Sequence, residues 1–331
     1  MDDRRPWRVL ALPPLGENII RGMFAPLSEA VEVSVPATRD VPGLHAALAD
    51  AELVVGDFTG ALALDGAAVR AAPRLAFVQM PQVGVDSCDL DALTGAGVPV
   101  ANTAGANARS VAEWAVGAAF ALCRQLAWGD RRMRAGEWSQ SALLGRGTRE
   151  IHSRRVGVLG HGAIGAEAAG LFAALGCAVS YWSRSRRPDA SATYRELDDL
   201  LATSDILVLA LPLTPETAGL IGPERLATLP PGALLINVAR GGIVPDEAVL
   251  AALDSGRLGG AALDVFEDEP LGVDHPLRRH ENVLLSPHVA GATLEAQLNI
   301  VSLVRDNVAA AVAGRPVRNV VNGVEPLVRR R

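Results

Sequence analysis

The sequence predicts an α/β protein built on parallel sheets, and three observations carry that prediction. Short apolar runs alternate with longer helical patterns along the chain, the order that produces layered α/β structure. Several of these runs are rich in Val, Ile and Leu without polar alternation, as expected of strands covered on both faces. One run leads directly into a glycine-rich turn, Gly160 to Gly165, and then into a helical pattern. The 331 residues give room for two domains of ordinary size.

Taken in order, the first set of predicted strands is Val9–Leu12, Val31–Val35, Leu53–Val55, Leu75–Met80 and Val98–Ala101. A long helical pattern follows from Ala108 to Gln125. Its apolar part, Trp114 to Cys123, is bounded by Glu113 and Arg124 and is too short to span a bilayer. The polar stretch from Gly129 to Arg155, rich in Gly and Ser after Gly136, is read as a loop or arm. A second strand set lies at Val156–Leu159, Val179–Trp182, Ile206–Leu211, Leu234–Val238, Ala261–Val265 and Val283–Leu285. A last helical segment runs from Leu294 to Ala313.

Composition excludes several classes of function. The formal net charge is −6, so the basic footprint of a nucleic-acid binder is missing. The 31 basic residues are all arginine. A chain without lysine has no Schiff-base chemistry and no Walker-type phosphate loop. The three cysteines, Cys88, Cys123 and Cys177, lie far apart and form no metal-ligand spacing. They suit a reducing cytoplasm, and no metal is expected. The N-terminus is charged from Met1 to Arg8, and the apolar stretch after it meets Pro13 and Pro14 too soon for an export signal.

The glycine turn reads Gly160-His161-Gly162-Ala163-Ile164-Gly165. In a G-x-G-x-x-G run the first glycine permits the tight turn. The second lets the backbone approach a pyrophosphate, and the third lets helix and strand pack closely. The helix N-terminus then offers free N–H groups and a positive dipole end to the anion. The next strand, Val179–Trp182, ends where NAD-binding proteins usually place an acid on the adenosine ribose. Here the sequence has Ser183-Arg184-Ser185-Arg186-Arg187. A missing carboxylate and clustered guanidinium groups favour a 2′-phosphate. NADP is therefore the preferred cofactor, with NAD as the second choice.

Three later segments carry reactive groups at the carboxyl ends of predicted strands, where open α/β sheets bind ligands. They are Val238-Ala239-Arg240-Gly241-Gly242, Asp264-Val265-Phe266-Glu267-Asp268-Glu269-Pro270 and Ser286-Pro287-His288. With Gln82-Val83-Gly84-Val85-Asp86, Ser110-Val111-Ala112-Glu113 and the glycine turn, these motifs make the chain resemble the D-2-hydroxyacid dehydrogenase family over nearly its whole length. Its Ser183-Arg184 pair is similar to the NADP-using glyoxylate/hydroxypyruvate reductases of that family.

The resemblance implies roles. Arg240 would hold a substrate carboxylate and polarise the keto oxygen. His288 would be the general acid, and Glu269 would pair with it and favour its protonated form. Val83 and Gly84 would offer backbone N–H groups to the carboxylate. Pro212, Val238, Ala239 and Asp264 would line the cofactor cleft, with His161 in the glycine turn and Arg240 and His288 beside the cofactor.

The resemblance also implies two doubly wound, Rossmann-like domains. Residues 1–103 and 291–331 would form a flavodoxin-like substrate domain, and residues 104–290 the NAD(P)-binding domain. It implies a homodimer, with no nucleic acid or membrane as partner. The leading expectation is an NADP-dependent reductase of a small 2-keto acid such as glyoxylate or hydroxypyruvate. The segment Pro81-Gln82 keeps a bulkier or phosphonate-like acid open. A dinucleotide-sensing, corepressor-like interaction protein is the reading from another class.

Overall fold

The computed structural model describes residues 5–331, so part of the charged N-terminal stretch lies outside the described residues. The chain divides into two compact units. One comprises the described chain up to Asn107 together with Leu294–Arg331, and the other is Ala108–Thr293.

The first unit holds β1 (Trp7–Ala11), β2 (Val31–Ser34), β3 (Leu53–Val55), β4 (Phe77–Gln79) and β5 (Val100–Ala101). They pair in parallel in the order β2-β1-β3-β4-β5, which is the flavodoxin-like order. One face of the sheet packs Val9, Val55 and Phe77 against Val304 and Val308 of the helix Leu294–Val312. The other face packs Leu10, Val54 and Val78 against Leu44, Leu48 and Leu93. Burial on both faces explains why β3, Leu-Val-Val, shows no alternation. The C-terminal helix is tied to the sheet by a buried polar contact. Asn307 Nδ2 donates to Gln79 Oε1 at 2.7 Å, and a buried amide pair of this kind is satisfied only in one register.

The second unit holds β6 (Arg155–Leu159), β7 (Ala178–Trp182), β8 (Thr193–Tyr194), β9 (Ile206–Leu209), β10 (Ala233–Asn237), β11 (Leu258–Leu263) and β12 (Val283–Leu285). Their order is β12-β11-β10-β9-β6-β7-β8, parallel throughout. The order reverses direction between β6 and β9, the switch point at which such sheets bind dinucleotides. In β9, Leu207 and Leu209 enter the core on one face, and Ile206 and Val208 enter the core on the other. The helix Ala108–Cys123 lies in the second of these cores, where Ala115 and Ala119 pack with Ala169 and Phe172 of the helix Ala163–Ala174.

The stretch Gly129–Arg155, read from the sequence as a loop or arm, is partly helical rather than a plain loop. It contains most of the helix Leu126–Arg134 and all of the helix Gln140–Gly145. The first is a polar, arginine-rich helix with an Asp130–Arg134 ion pair at i,i+4. Among the described residues no helix is long and apolar enough to cross a membrane.

Candidate active site

Because every strand of the second unit runs in the same direction, the turns after β6, β7, β9, β10, β11 and β12 emerge at one edge of the sheet. The turn after β6 is the glycine run. Gly160 has φ +96°, and a Cβ there would lie 2.6 Å from the Ala210 carbonyl oxygen. A Cβ at Gly165 would overlap the Gly160 carbonyl oxygen, so the helix starts in direct contact with the turn. Gly162 is different, since a Cβ there would meet nothing within 4 Å. Its bareness leaves the backbone approachable from outside. The helix Ala163–Ala174 begins with Gly162 as N-cap and no side-chain cap. The N–H groups of Ala163 and Ile164 have no protein acceptor among the described residues. An uncapped helix start behind an open glycine cradle fits a dinucleotide pyrophosphate.

His161 turns inward from this run and stacks on Tyr181 of β7 with ring centroids 4.1 Å apart. Burial, and then the charge of Arg187, lower its pKa from the ordinary 6.5. Ser183 and Arg184 follow β7 directly. Arg184 pairs with no carboxylate among the described residues. Arg186 lies over the Tyr194 ring at 4.5 Å and 3.8 Å from Glu196. The loop after β9 starts near Pro212, whose carbonyl accepts from Thr217 Oγ1 at 2.7 Å. In that loop the Thr214 hydroxyl holds the Glu216 carboxyl below its ordinary range, and Arg184 adds a smaller effect in the same direction.

After β10, Val238 and Ala239 are buried and Arg240 stands at the turn. Asn237, 1% exposed, brackets that turn. Its Oδ1 accepts from Ala239 N at 3.0 Å, and its Nδ2 donates to Arg240 O at 3.0 Å. Arg240 Nη1 donates to Ala239 O at 2.8 Å, which folds the guanidinium stem back onto its own turn. Gly241 is packed so closely on the β11 loop that a Cβ would overlap the Phe266 carbonyl group. Gly241→Ala is therefore expected to destabilise the second unit by about 2 kcal/mol, as overpacking against backbone does. Calorimetry should show a drop of roughly 4–8 °C in that unit's melting, and a change under 1 °C would contradict the packing argument.

The loops after β11 and β12 bring Glu269 and His288 together. Glu269 Oε2 lies 2.7 Å from His288 Nδ1, and Glu269 Oε1 accepts from Phe266 N at 3.0 Å. The carboxylate is thus oriented by the backbone at one oxygen and grips the imidazole at the other. His288 has φ +54°, a left-handed conformation that a non-glycine residue keeps only when its surroundings fix it. Those surroundings are supplied by Asp264. Its backbone oxygen accepts from His288 N at 2.8 Å. Its carboxylate, 2% exposed, accepts from Val289 N and Ala290 N at 2.8 Å each and from Ser286 Oγ. Both carboxylate oxygens of Asp264 are therefore engaged in shaping the His288 loop. With Nδ1 held by Glu269, Nε2 is the imidazole atom left to exchange a proton with a ligand.

In the first unit, Val83 and Gly84 follow β4. Gln82 O accepts from Thr103 N at 3.1 Å and Val83 O accepts from Asn102 Nδ2 at 2.7 Å. The carbonyl groups are thereby turned to protein donors, and the Val83 and Gly84 N–H groups have no protein acceptor among the described residues. Three residues were not singled out for these positioning contacts in the sequence: Asn237, Ser286 and Tyr181. Asn237 ends β10 directly before Val238-Ala239-Arg240-Gly241-Gly242, and an amide at a strand end before a turn is the signal that points to it. Among the described residues there is no cluster of side chains able to hold a metal.

Residues 116–290 match the family described as D-isomer specific 2-hydroxyacid dehydrogenase, NAD binding domain. A glyoxylate reductase of Aeropyrum pernix is 39% identical over 262 residues, covering 76% of this chain and 77% of that protein. A D-3-phosphoglycerate dehydrogenase of Archaeoglobus fulgidus is 33% identical over 332 residues, covering 96% of this chain. The chain spans about 60% of that relative's length. Among solved structures, the PH0520 protein from Pyrococcus horikoshii superposes with a TM-score of 0.83 at 31% identity, over 96% of each chain. The D-mandelate dehydrogenase of Rhodotorula graminis shares the fold, with a TM-score of 0.89 at 24% identity over 97% of this chain and 99% of that one.

Proposed function

The chain belongs to the D-isomer-specific 2-hydroxyacid dehydrogenase family, and from that membership we propose that it reduces a small 2-keto acid to the 2-hydroxy acid with NADPH as preferred donor. Glyoxylate and hydroxypyruvate are the first candidates. The observation that carries the reading is the 2.7 Å contact between His288 Nδ1 and Glu269 Oε2, set on a loop whose shape Asp264 dictates.

Reduction of the keto group adds a hydride to carbon 2 and a proton to the oxygen. A reduced nicotinamide, when bound, supplies the hydride. His288 holds the proton at Nε2 and delivers it to the keto oxygen, and Glu269 stabilises the imidazolium before delivery. Arg240 binds the substrate carboxylate through its planar fork and places positive charge beside the oxygen that gains electron density. In the first unit, the Val83 and Gly84 N–H groups, which have no protein acceptor among the described residues, are available to a carboxylate.

The cofactor is held by the residues of the glycine turn, Gly160 to Gly165, and by Pro212, Val238 and Ala239 along the cleft. Asp264 acts on this site through the His288 loop. Ser183 and Arg184 receive the adenosine 2′-phosphate. The proposed setting is the cytoplasm, where the free thiols of Cys88, Cys123 and Cys177 persist. Burial pushes the Cys88 thiol up to about 11, so it offers no thiolate for chemistry. A homodimer has an apolar surface available at Met133, Trp138 and Leu144, all exposed in the single chain.

The test follows the absorbance of NADPH, and separately of NADH, with 2-keto acids from glyoxylate to aryl and phosphonate-bearing ones. Rapid oxidation of NADPH with one class supports the reading, and silence with all of them from a protein that binds NADPH removes it. Arg184→Ala is expected to weaken NADPH about 10- to 100-fold, as loss of a charge-assisted contact does. Its affinity for NADH should stay within about twofold on the same argument. Equal losses with both cofactors would take the 2′-phosphate away from Arg184.

A further inference from the structure

The loop after β7 is closed by one buried phenol. Tyr181, 1% exposed, lies within β7. Its ring contacts His161 of the glycine turn, stacked at 4.1 Å, and Tyr194 of β8, in a T-shaped contact at 5.5 Å. Its hydroxyl reaches across the loop to Arg187, accepting from Arg187 N at 2.8 Å and donating to Arg187 O at 3.3 Å. Within the loop, Ser183 Oγ donates to Ser185 O at 2.7 Å. Arg186 is drawn aside onto Tyr194 and Glu196. The guanidinium groups of Arg184 and Arg187 pair with no carboxylate among the described residues.

Packing alone does not require the hydroxyl, because a phenylalanine ring would fill the same space. A buried hydroxyl must find partners, and both of its partners belong to the backbone of the basic loop. An exposed loop that must bind an anion loses affinity to its own ordering, and a loop fixed beforehand does not. The glycine turn and the basic loop are also joined, since the ring stacks on His161 and its hydroxyl bonds the Arg187 backbone.

We propose that Tyr181 is a positioning residue for cofactor choice: its phenol fixes residues 183–187 so that Arg184 and Arg187, rather than Arg186, are the guanidinium groups offered to an adenosine 2′-phosphate. The proposal rests on the NADP reading and adds two things to it. It names a buried side chain that touches no ligand as a determinant of the NADP preference. It also makes Arg187, rather than Arg186, the second guanidinium group offered to the phosphate beside Arg184.

The test uses the whole protein and two adenosine fragments, 2′,5′-ADP and 5′-AMP, with affinities read by calorimetry. Tyr181→Phe keeps the stacked ring and removes the clamp. It is expected to weaken 2′,5′-ADP about five- to tenfold, the equilibrium equivalent of one lost hydrogen bond, with 5′-AMP changed less than about twofold on the same scale. Without any ligand, the Arg187 amide should exchange its hydrogen faster in this variant, while Arg184→Ala leaves that exchange unaltered. Arg187→Ala should lower 2′,5′-ADP affinity more than Arg186→Ala.

A wild-type protein that binds both fragments alike would sink the NADP reading, and the proposal with it. A wild type that discriminates, with a Tyr181→Phe variant that discriminates equally, would sink the clamp alone. Unchanged exchange at Arg187 in Tyr181→Phe would do the same.

Discussion

Replacing His288 by alanine is expected to lower kcat for 2-keto-acid reduction by about 10²- to 10⁴-fold, the contribution of a positioned proton donor, with a much smaller change in KM. The keto oxygen must gain a proton as carbon 2 gains a hydride, and water is a poor donor at neutral pH. His288 is half exposed and its Nδ1 is held by Glu269, so the imidazole is both reachable and oriented. Removing it leaves the carboxylate of Glu269 still tied to Phe266 N but with no proton to deliver.

Glu269→Ala should cost less than His288→Ala, because the imidazole remains and only loses its orientation and its counter-charge. The double variant should be no slower than His288→Ala, since groups acting as one unit are not additive. Stopped-flow measurement of NADPH oxidation at saturating keto acid reads this directly. A His288→Ala protein within tenfold of wild type, or losses that multiply in the double variant, would remove His288 and Glu269 from proton delivery.

The parallel-sheet architecture is legible in the sequence because a strand covered on both faces has only one kind of residue available to it. The run Ile206–Leu209 is apolar throughout for that reason, and both of its faces enter a core. The edge strand β8 is missed for the converse reason. Thr193 and Tyr194 have only β7 as a neighbour, and two residues carry no period. The helix Leu126–Arg134 is hidden by polarity, since an exposed helix held by pairs such as Asp130–Arg134 shows little apolar stripe, and Gln140–Gly145 is too short to show a helical period.

At the site, the glycine turn is readable because each glycine answers to a separate steric demand. The joining of Glu269 to His288 is not readable from spacing, because 19 residues and a strand separate them, and only the resemblance points to it. Asp264 is harder still. A carboxylate in an acidic-looking segment reads as solvated or as a ligand group, whereas it is buried and accepts from backbone donors 25 and 26 residues further on. Long-range polar contacts of this sort leave no local pattern.

Arg240→Lys keeps the charge and is nevertheless expected to lower kcat/KM by about 10²-fold or more, roughly 2.7 kcal/mol of transition-state stabilisation. A carboxylate and a developing oxyanion present a planar set of acceptors, which a guanidinium fork meets with parallel donors. An ammonium group meets them one at a time and holds its own water more tightly. Arg240→Lys loses the Nη1 contact to Ala239 O, but Asn237 still fixes Ala239 N and Arg240 O in the turn that carries residue 240. The variant therefore tests the fork rather than the fold.

If the fork acts on both carboxylate and keto oxygen, KM should rise and kcat should fall together. Added guanidinium ion should then restore part of the rate in Arg240→Ala but little in Arg240→Lys, where the ammonium occupies the space. A rise in KM with kcat intact would confine Arg240 to holding the carboxylate and assign the polarisation of the oxygen to His288 alone. A lysine variant with near wild-type kcat/KM would remove the planar-fork argument and leave charge as the sole requirement at this position.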